Sequence, residues 1–126
     1  ESAVFYMGSF DAQTIREKLR SYDFAVVPLR SRIYGAVPSK IFELTLLHVP
    51  MLFSGGGEGA EIIKKEGIGW ISEPGNYEEL STNIAKAREQ SIAQYESMVE
   101  KCRVLATKEY DFEAQIDRLN GVLKEL

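Results

Sequence analysis

The chain has 126 residues, 44% hydrophobic and 27% charged, which fits one globular domain and excludes a disordered chain. No apolar run approaches the roughly 18 residues that cross a bilayer, and no basic-then-apolar leader is visible at the N-terminus. The net charge of -4 argues against a nucleic-acid partner, while one cysteine (Cys102) and one histidine (His48) exclude an intrachain disulfide and argue against a Cys/His zinc site.

The first predicted element is a strand at Ala3 to Met7, aromatic and β-branched, ended by Gly8. Asp11 is placed to cap a helix whose apolar face carries Ile15, Leu19 and Tyr22 at i, i+4 and i+7. Phe24 to Val27 is apolar throughout and stopped by Pro28, which suits the interior of a parallel sheet covered on both faces. Residues 30–37 read as a loop with Arg30, Arg32 and Gly35. Pro38 then suits the first position of a helix running through Leu47, with His48 behind it as a residue that tolerates a left-handed backbone. Pro50 to Phe53 is a third strand, followed by the glycine loop from Ser54 to Gly57. A short helix carrying Ala60, Ile62 and Ile63 is closed by Gly67, Ile68 to Ile71 is a fourth strand, and Pro74-Gly75 is a turn.

The remainder reads as helical. Asn76 and Glu79 resemble a capping box ahead of a stripe of Leu80, Ile84 and Ala87. Ile92, Tyr95, Met98, Val99, Cys102 and Leu105 continue at helical spacing. Asp111 caps a last helix with Phe112, Ile116, Leu119 and Leu123 on one face and Gly121 inside it. This order of strands and helices predicts an α/β domain: a Rossmann-like parallel sheet of about four strands, helices on both faces, and C-terminal helices. Tyr6, Trp70 and the other aromatics are expected in the core, and Cys102 as inert packing.

Ligands of such sheets bind beyond the carboxyl ends of the strands. Three loops leave the strands there: Gly8 to Asp11, Pro28 to Pro38, and Ser54 to Gly59. In the second, Gly35, Val37 and Pro38 deliver the chain to a helix N-terminus, where unpaired backbone N–H groups attract anions. Ser39 and Lys40 flank that entrance, and Glu43 lies one turn in, where a carboxylate can accept two hydrogen bonds from a vicinal diol such as a ribose presents. The alternative is a surface Glu43 favoured by the helix dipole beside a solvated Lys40. Arg30 and Arg32 are either a phosphate clasp or solvated loop residues. The Gly55 to Gly59 run has neither the Walker nor the dinucleotide pattern, and its roles are a tight turn and close ligand approach.

The stretch from Pro28 through Gly69 resembles the C-terminal nucleotide-sugar-binding domain of family 4 retaining glycosyltransferases of GT-B fold. The carriers are Val26-Val27-Pro28, Val37-Pro38-Ser39-Lys40-Ile41-Phe42-Glu43, Pro50 to Ser54, Gly57-Glu58-Gly59-Ala60 and Glu66-Gly67-Ile68-Gly69. The Pro-Ser-Lys-aliphatic-Phe-Glu run is typical of a branch that includes bacterial cell-surface polysaccharide enzymes. The resemblance implies that Glu43 binds the nucleotide ribose and that the loop from Gly35 to Pro38 approaches the donor sugar and diphosphate. Gly57 and Glu58 then lie nearby, and the donor is held without a metal ion or other cofactor.

Three departures accompany the resemblance. The family's first glutamate, eight residues before the second, is here Gly35. His48 stands where glycine is usual. The family's early phosphate-binding elements and its N-terminal acceptor domain have no counterpart, which implies a fragment of a longer enzyme, inactive alone. The intact enzyme is expected to move a hexosyl or N-acetylhexosaminyl group from a nucleotide diphosphate sugar, UDP-linked in the first instance, to a saccharide or lipid-linked acceptor. Its expected place is the cytoplasm, at the inner face of the membrane, with any membrane-binding surface on the missing domain. The alternatives are a non-catalytic nucleotide-binding or interaction module, motivated by Gly35, and a sugar-nucleotide epimerase of GT-B architecture.

Overall fold

The structure is a computed structural model that describes residues 4–126. The elements run α1 (Ala12–Leu19), β1 (Ala25–Pro28), α2 (Ser39–Leu46), β2 (Met51–Ser54), α3 (Glu58–Glu66), β3 (Gly69–Ser72), α4 (Tyr77–Glu89), α5 (Ile92–Leu105), one π-helical turn (Ala106–Tyr110) and α6 (Phe112–Lys124). The sheet is parallel, in the order β1-β2-β3. Ala25 to Pro28 pair with Met51 to Ser54, and these pair with Gly69 to Ser72. The domain is α/β, with a three-stranded parallel sheet flanked by helices.

Side chains alternate across a strand, and here both faces are covered. Val27, Met51 and Phe53 point into one core with Ile41 and Leu44 of α2, Ile63 of α3, and Cys102 and Leu105 of α5. On the other face Leu52, Ser54 and Ser72 are buried, and α4 packs against β2 and β3. Asn83 of α4 donates its Nδ2 to the Ile71 carbonyl at 2.9 Å, on a strand that has no further neighbour in the sheet. An edge carbonyl is thereby satisfied by a side chain.

Several expectations need correcting. The sheet has three strands among the described residues, not four. Ala3 lies outside those residues, and Val4 to Met7 form no strand. They stand 83%, 76%, 93% and 59% exposed, so Tyr6 is not a core residue. An extended segment gains a place in a sheet only through a ladder of backbone pairs, and among the described residues the sheet comprises β1, β2 and β3 alone. For the same reason the strand at Phe24 to Val27 is not interior: β1 is an edge strand and Val26 is half exposed. Pro28, which lacks an N–H, is tolerated as the last residue of that edge.

The helix ends are set by specific groups. Asp11 caps α1 by accepting from the Thr14 N–H at 2.8 Å, and Asp111 caps α6 by accepting from Ala114 at 2.9 Å. Pro38 is the N-cap of α2 and not its first helical residue, so the helix starts at Ser39, one residue later than expected. His48 follows α2 with φ of 60°, and Gly67 closes α3 in the left-handed region. Asn76 accepts from the Glu79 N–H, but the Glu79 carboxylate turns instead to the Glu73 N–H, so the box is only half formed. A complete capping box stands at Ser91 and Gln94, ahead of α5. Asn83 and Ala87 form the buried positions of α4, while Ile84 is exposed.

Candidate functional site

The loop from Leu29 to Val37 runs across the carboxyl ends of the strands. The Leu29 N–H donates to the Ser54 carbonyl at 2.7 Å, and the Gly55 N–H to the Ser72 carbonyl at 2.9 Å. Arg32 lies along Gly56, where any side chain would meet its aliphatic carbons, and its Nη2 pairs with Glu73 Oε1 at 2.6 Å. Gly57 sits at φ of 73° directly beneath the Ile33 carbonyl, which occupies the space of a Cβ. Two of the three expected loops therefore meet at the sheet edge, and the exit of β3 joins them through Glu73. Glu73 is itself held by Glu79 and, through its carbonyl, by the Ser54 hydroxyl at 3.4 Å.

This arrangement sorts the residues singled out above. Arg32 is engaged with Glu73, and the ion pair raises its pKa further from neutrality. Arg30 is exposed on the same loop. Gly57 and Glu58 open α3, whose first turn already carries the carboxylates of Glu58 and Glu61. Those charges satisfy the helix dipole and oppose a second anion there.

The start of α2 is the reverse case. No side chain caps it, its first turn holds no acidic residue, and Lys40 places a positive charge there. A cation at a helix N-terminus opposes the dipole, and here its charge is balanced by Glu43 one turn on, leaving the backbone N–H groups of the first turn without a side-chain cap. Gly35, at φ of 72°, and the half-buried Val37 and Pro38 lead the chain into it. One turn on, Glu43 is 29% exposed and its Oε2 accepts from Lys40 Nζ at 2.8 Å. The carboxylate is thus fixed in position and still reachable from solvent.

Glu43 and Ser39 line an open groove of about 520 Å³ between α1 and α2. Arg16 of α1 and Arg20, the residue that caps its C-terminus, also line it, together with the apolar Leu46 and Leu47. The two arginines lie at i and i+4 and were not singled out from the sequence. The available signal was their offset by one from the apolar positions Ile15 and Leu19, which places them beside the half-buried apolar stripe of α1.

Among the described residues no group of three or more His, Cys, Asp or Glu is placed to hold a metal ion. No helix among them is long and apolar enough to cross a membrane. No family model, no curated protein and no solved structure matches this chain.

Proposed function

We propose that this chain is the donor-binding part of a glycosyltransferase that takes a nucleotide diphosphate sugar, UDP-linked in the first instance, and delivers the sugar to a saccharide or lipid-linked acceptor. The observation that carries the reading is Glu43: a carboxylate one turn into a helix whose first turn has no side-chain cap, held by Lys40 and open to a groove. A carboxylate of this kind accepts two hydrogen bonds from the ribose 2′ and 3′ hydroxyls, while the N–H groups at Ser39 and Lys40 face the phosphates. Transfer with retention requires a departing diphosphate and an oxocarbenium-like sugar to be stabilised, which fixed dipoles and positive side chains supply. Glu43 positions the nucleotide and moves no proton. On this reading the 126-residue chain binds donor and does not by itself turn it over.

Calorimetric titration with UDP and with GDP tests this. Saturable binding of one of them is expected, weakened about tenfold or more in Glu43→Ala, since hydrogen bonds to a charged group contribute ~1.5–3 kcal/mol. Equal binding in the variant would remove Glu43 from the site.

One observation favours a second reading, a nucleotide-binding module without transfer. Gly35 holds a left-handed backbone at the position where the resembled family has its first glutamate, so no carboxylate reads the sugar hydroxyls from there. The two readings differ in the contribution of the sugar: the donor reading expects UDP-sugar to bind more tightly than UDP, and the module reading expects equal affinities.

A further inference from the structure

The groove between α1 and α2 contains more positive charge than the proposed ribose contact explains. Arg16 and Arg20 face Glu43 and Ser39 across it. The Glu43 carboxylate is already paired with Lys40, and neither arginine forms an ion pair among the described residues. In a chain of net charge -4, two uncompensated guanidinium groups at one concave site create a local positive field. Arg32 is tied to Glu73, Arg103 to Glu100 and Arg118 to Glu109, while Arg30 and Arg88, which like Arg16 and Arg20 form no ion pair among the described residues, do not line this groove.

The geometry points to Arg16 and Arg20 as the phosphate grip of this groove, opposite a carboxylate that accepts from sugar hydroxyls. The ligand class is a phosphorylated nucleoside or sugar, with its hydroxyl-bearing part on α2 and its anionic part on α1. Guanidinium groups one helical turn apart can each offer two parallel N–H donors to phosphate oxygens. Leu46 and Leu47 add an apolar floor at one end, which suits the face of a base or sugar ring. The assignment deepens the donor-binding reading and rests on it. It adds Arg16 and Arg20 to the N–H groups at the start of α2 as phosphate contacts, in the role expected of Arg30 and Arg32 on the loop after β1.

The test is calorimetric titration of the 126-residue chain with UDP, uridine and inorganic pyrophosphate. Wild type is compared with Arg16→Gln/Arg20→Gln and, as a charge control, with Lys64→Gln on α3. The double variant is expected to lose about tenfold or more of its affinity for UDP and for pyrophosphate, with uridine changed less than about twofold. The steep weakening of UDP binding by salt is expected to flatten in the double variant only. Both arginines are exposed and form no ion pair among the described residues, and an unchanged far-ultraviolet spectrum and melting temperature verify that folding is intact.

An equal loss for uridine and UDP, or an unchanged UDP affinity, would overturn the phosphate grip while leaving the donor reading standing. A selective loss in the arginine variant, with no effect of Glu43→Ala, would keep the grip and overturn the ribose contact. Failure of wild type to bind any of the three overturns both.

Discussion

At residue scale the contrast between Cys102 and Glu43 separates packing from chemistry. Cys102 is fully buried between α5 and the sheet, and burial pushes its thiol up to about 12. A thiolate is the reactive form, so Cys102 should resist a thiol reagent at pH 8 in the native protein and react once urea unfolds it. The same shift has a sign for stability. Unfolded, the thiol ionises near pH 8.5; folded, it stays neutral, so its contribution is complete below about 8.5 and declines as pH rises toward 12. Denaturation midpoints measured at pH 7 and pH 10 should fall in that direction, and less so in Cys102→Ala compared with its own pH 7 value. Gly57→Ala should cost about 1–3 kcal/mol by urea denaturation, because a left-handed backbone and the Ile33 carbonyl both exclude the new methyl. Gly57 was readable in the sequence as a turn glycine. That a carbonyl sits over it was not, because the contact joins two loops distant in the chain.

At the scale of elements, the helices and three of the four expected strands follow local signals. Asp11 and Asp111 cap as their positions suggest, and Gly67 ends its helix. Ser91 with Gln94 went unread because the apolar spacing before and after it looked continuous. Its effect is measurable: Ser91→Ala removes the acceptor for the Gln94 N–H and should cost about 1 kcal/mol in equilibrium unfolding. Misread positions share one cause, a dependence on a neighbour outside the segment. Val4 to Met7 have strand-like composition but form no strand. Asn83 is polar yet buried because the Ile71 carbonyl needs a donor. The candidate site divides the same way. The α2 entrance, with Ser39, Lys40 and Glu43, was legible from the consecutive residues Gly35 to Glu43, whereas the α1 side of the groove, with Arg16 and Arg20, emerges only when the two helices are side by side.

For the whole molecule, stability is concentrated in the sheet and in α2, α3 and α5. Phe53, with no exposed surface, sits at the centre of that core, and Phe53→Ala is expected to cost about 3–5 kcal/mol in urea denaturation. The last helix differs. None of its residues is buried, and Phe112, Ile116, Leu119 and Leu123 all face solvent. A chain ending at Asp111 should therefore keep the same cooperative transition to within about 1 kcal/mol, because the removed surface buries little.

The order β1-β2-β3 also has a meaning in time. Only β2 is hydrogen-bonded along both edges, whereas β1 and β3 each have one side to lose. Opening either outer strand breaks one ladder; releasing Met51 to Ser54 breaks both and dismantles the core that Met51 and Phe53 anchor. The backbone amides of β2 should accordingly be the last to exchange with deuterated solvent, at the rate of global unfolding, and those of β1, beside the exposed Val26, should exchange sooner. The loop over the strand ends springs from β1. The part of the sheet edge nearest the candidate site is thus the part that opens most often, and the strand behind it keeps the record of the fold while it does.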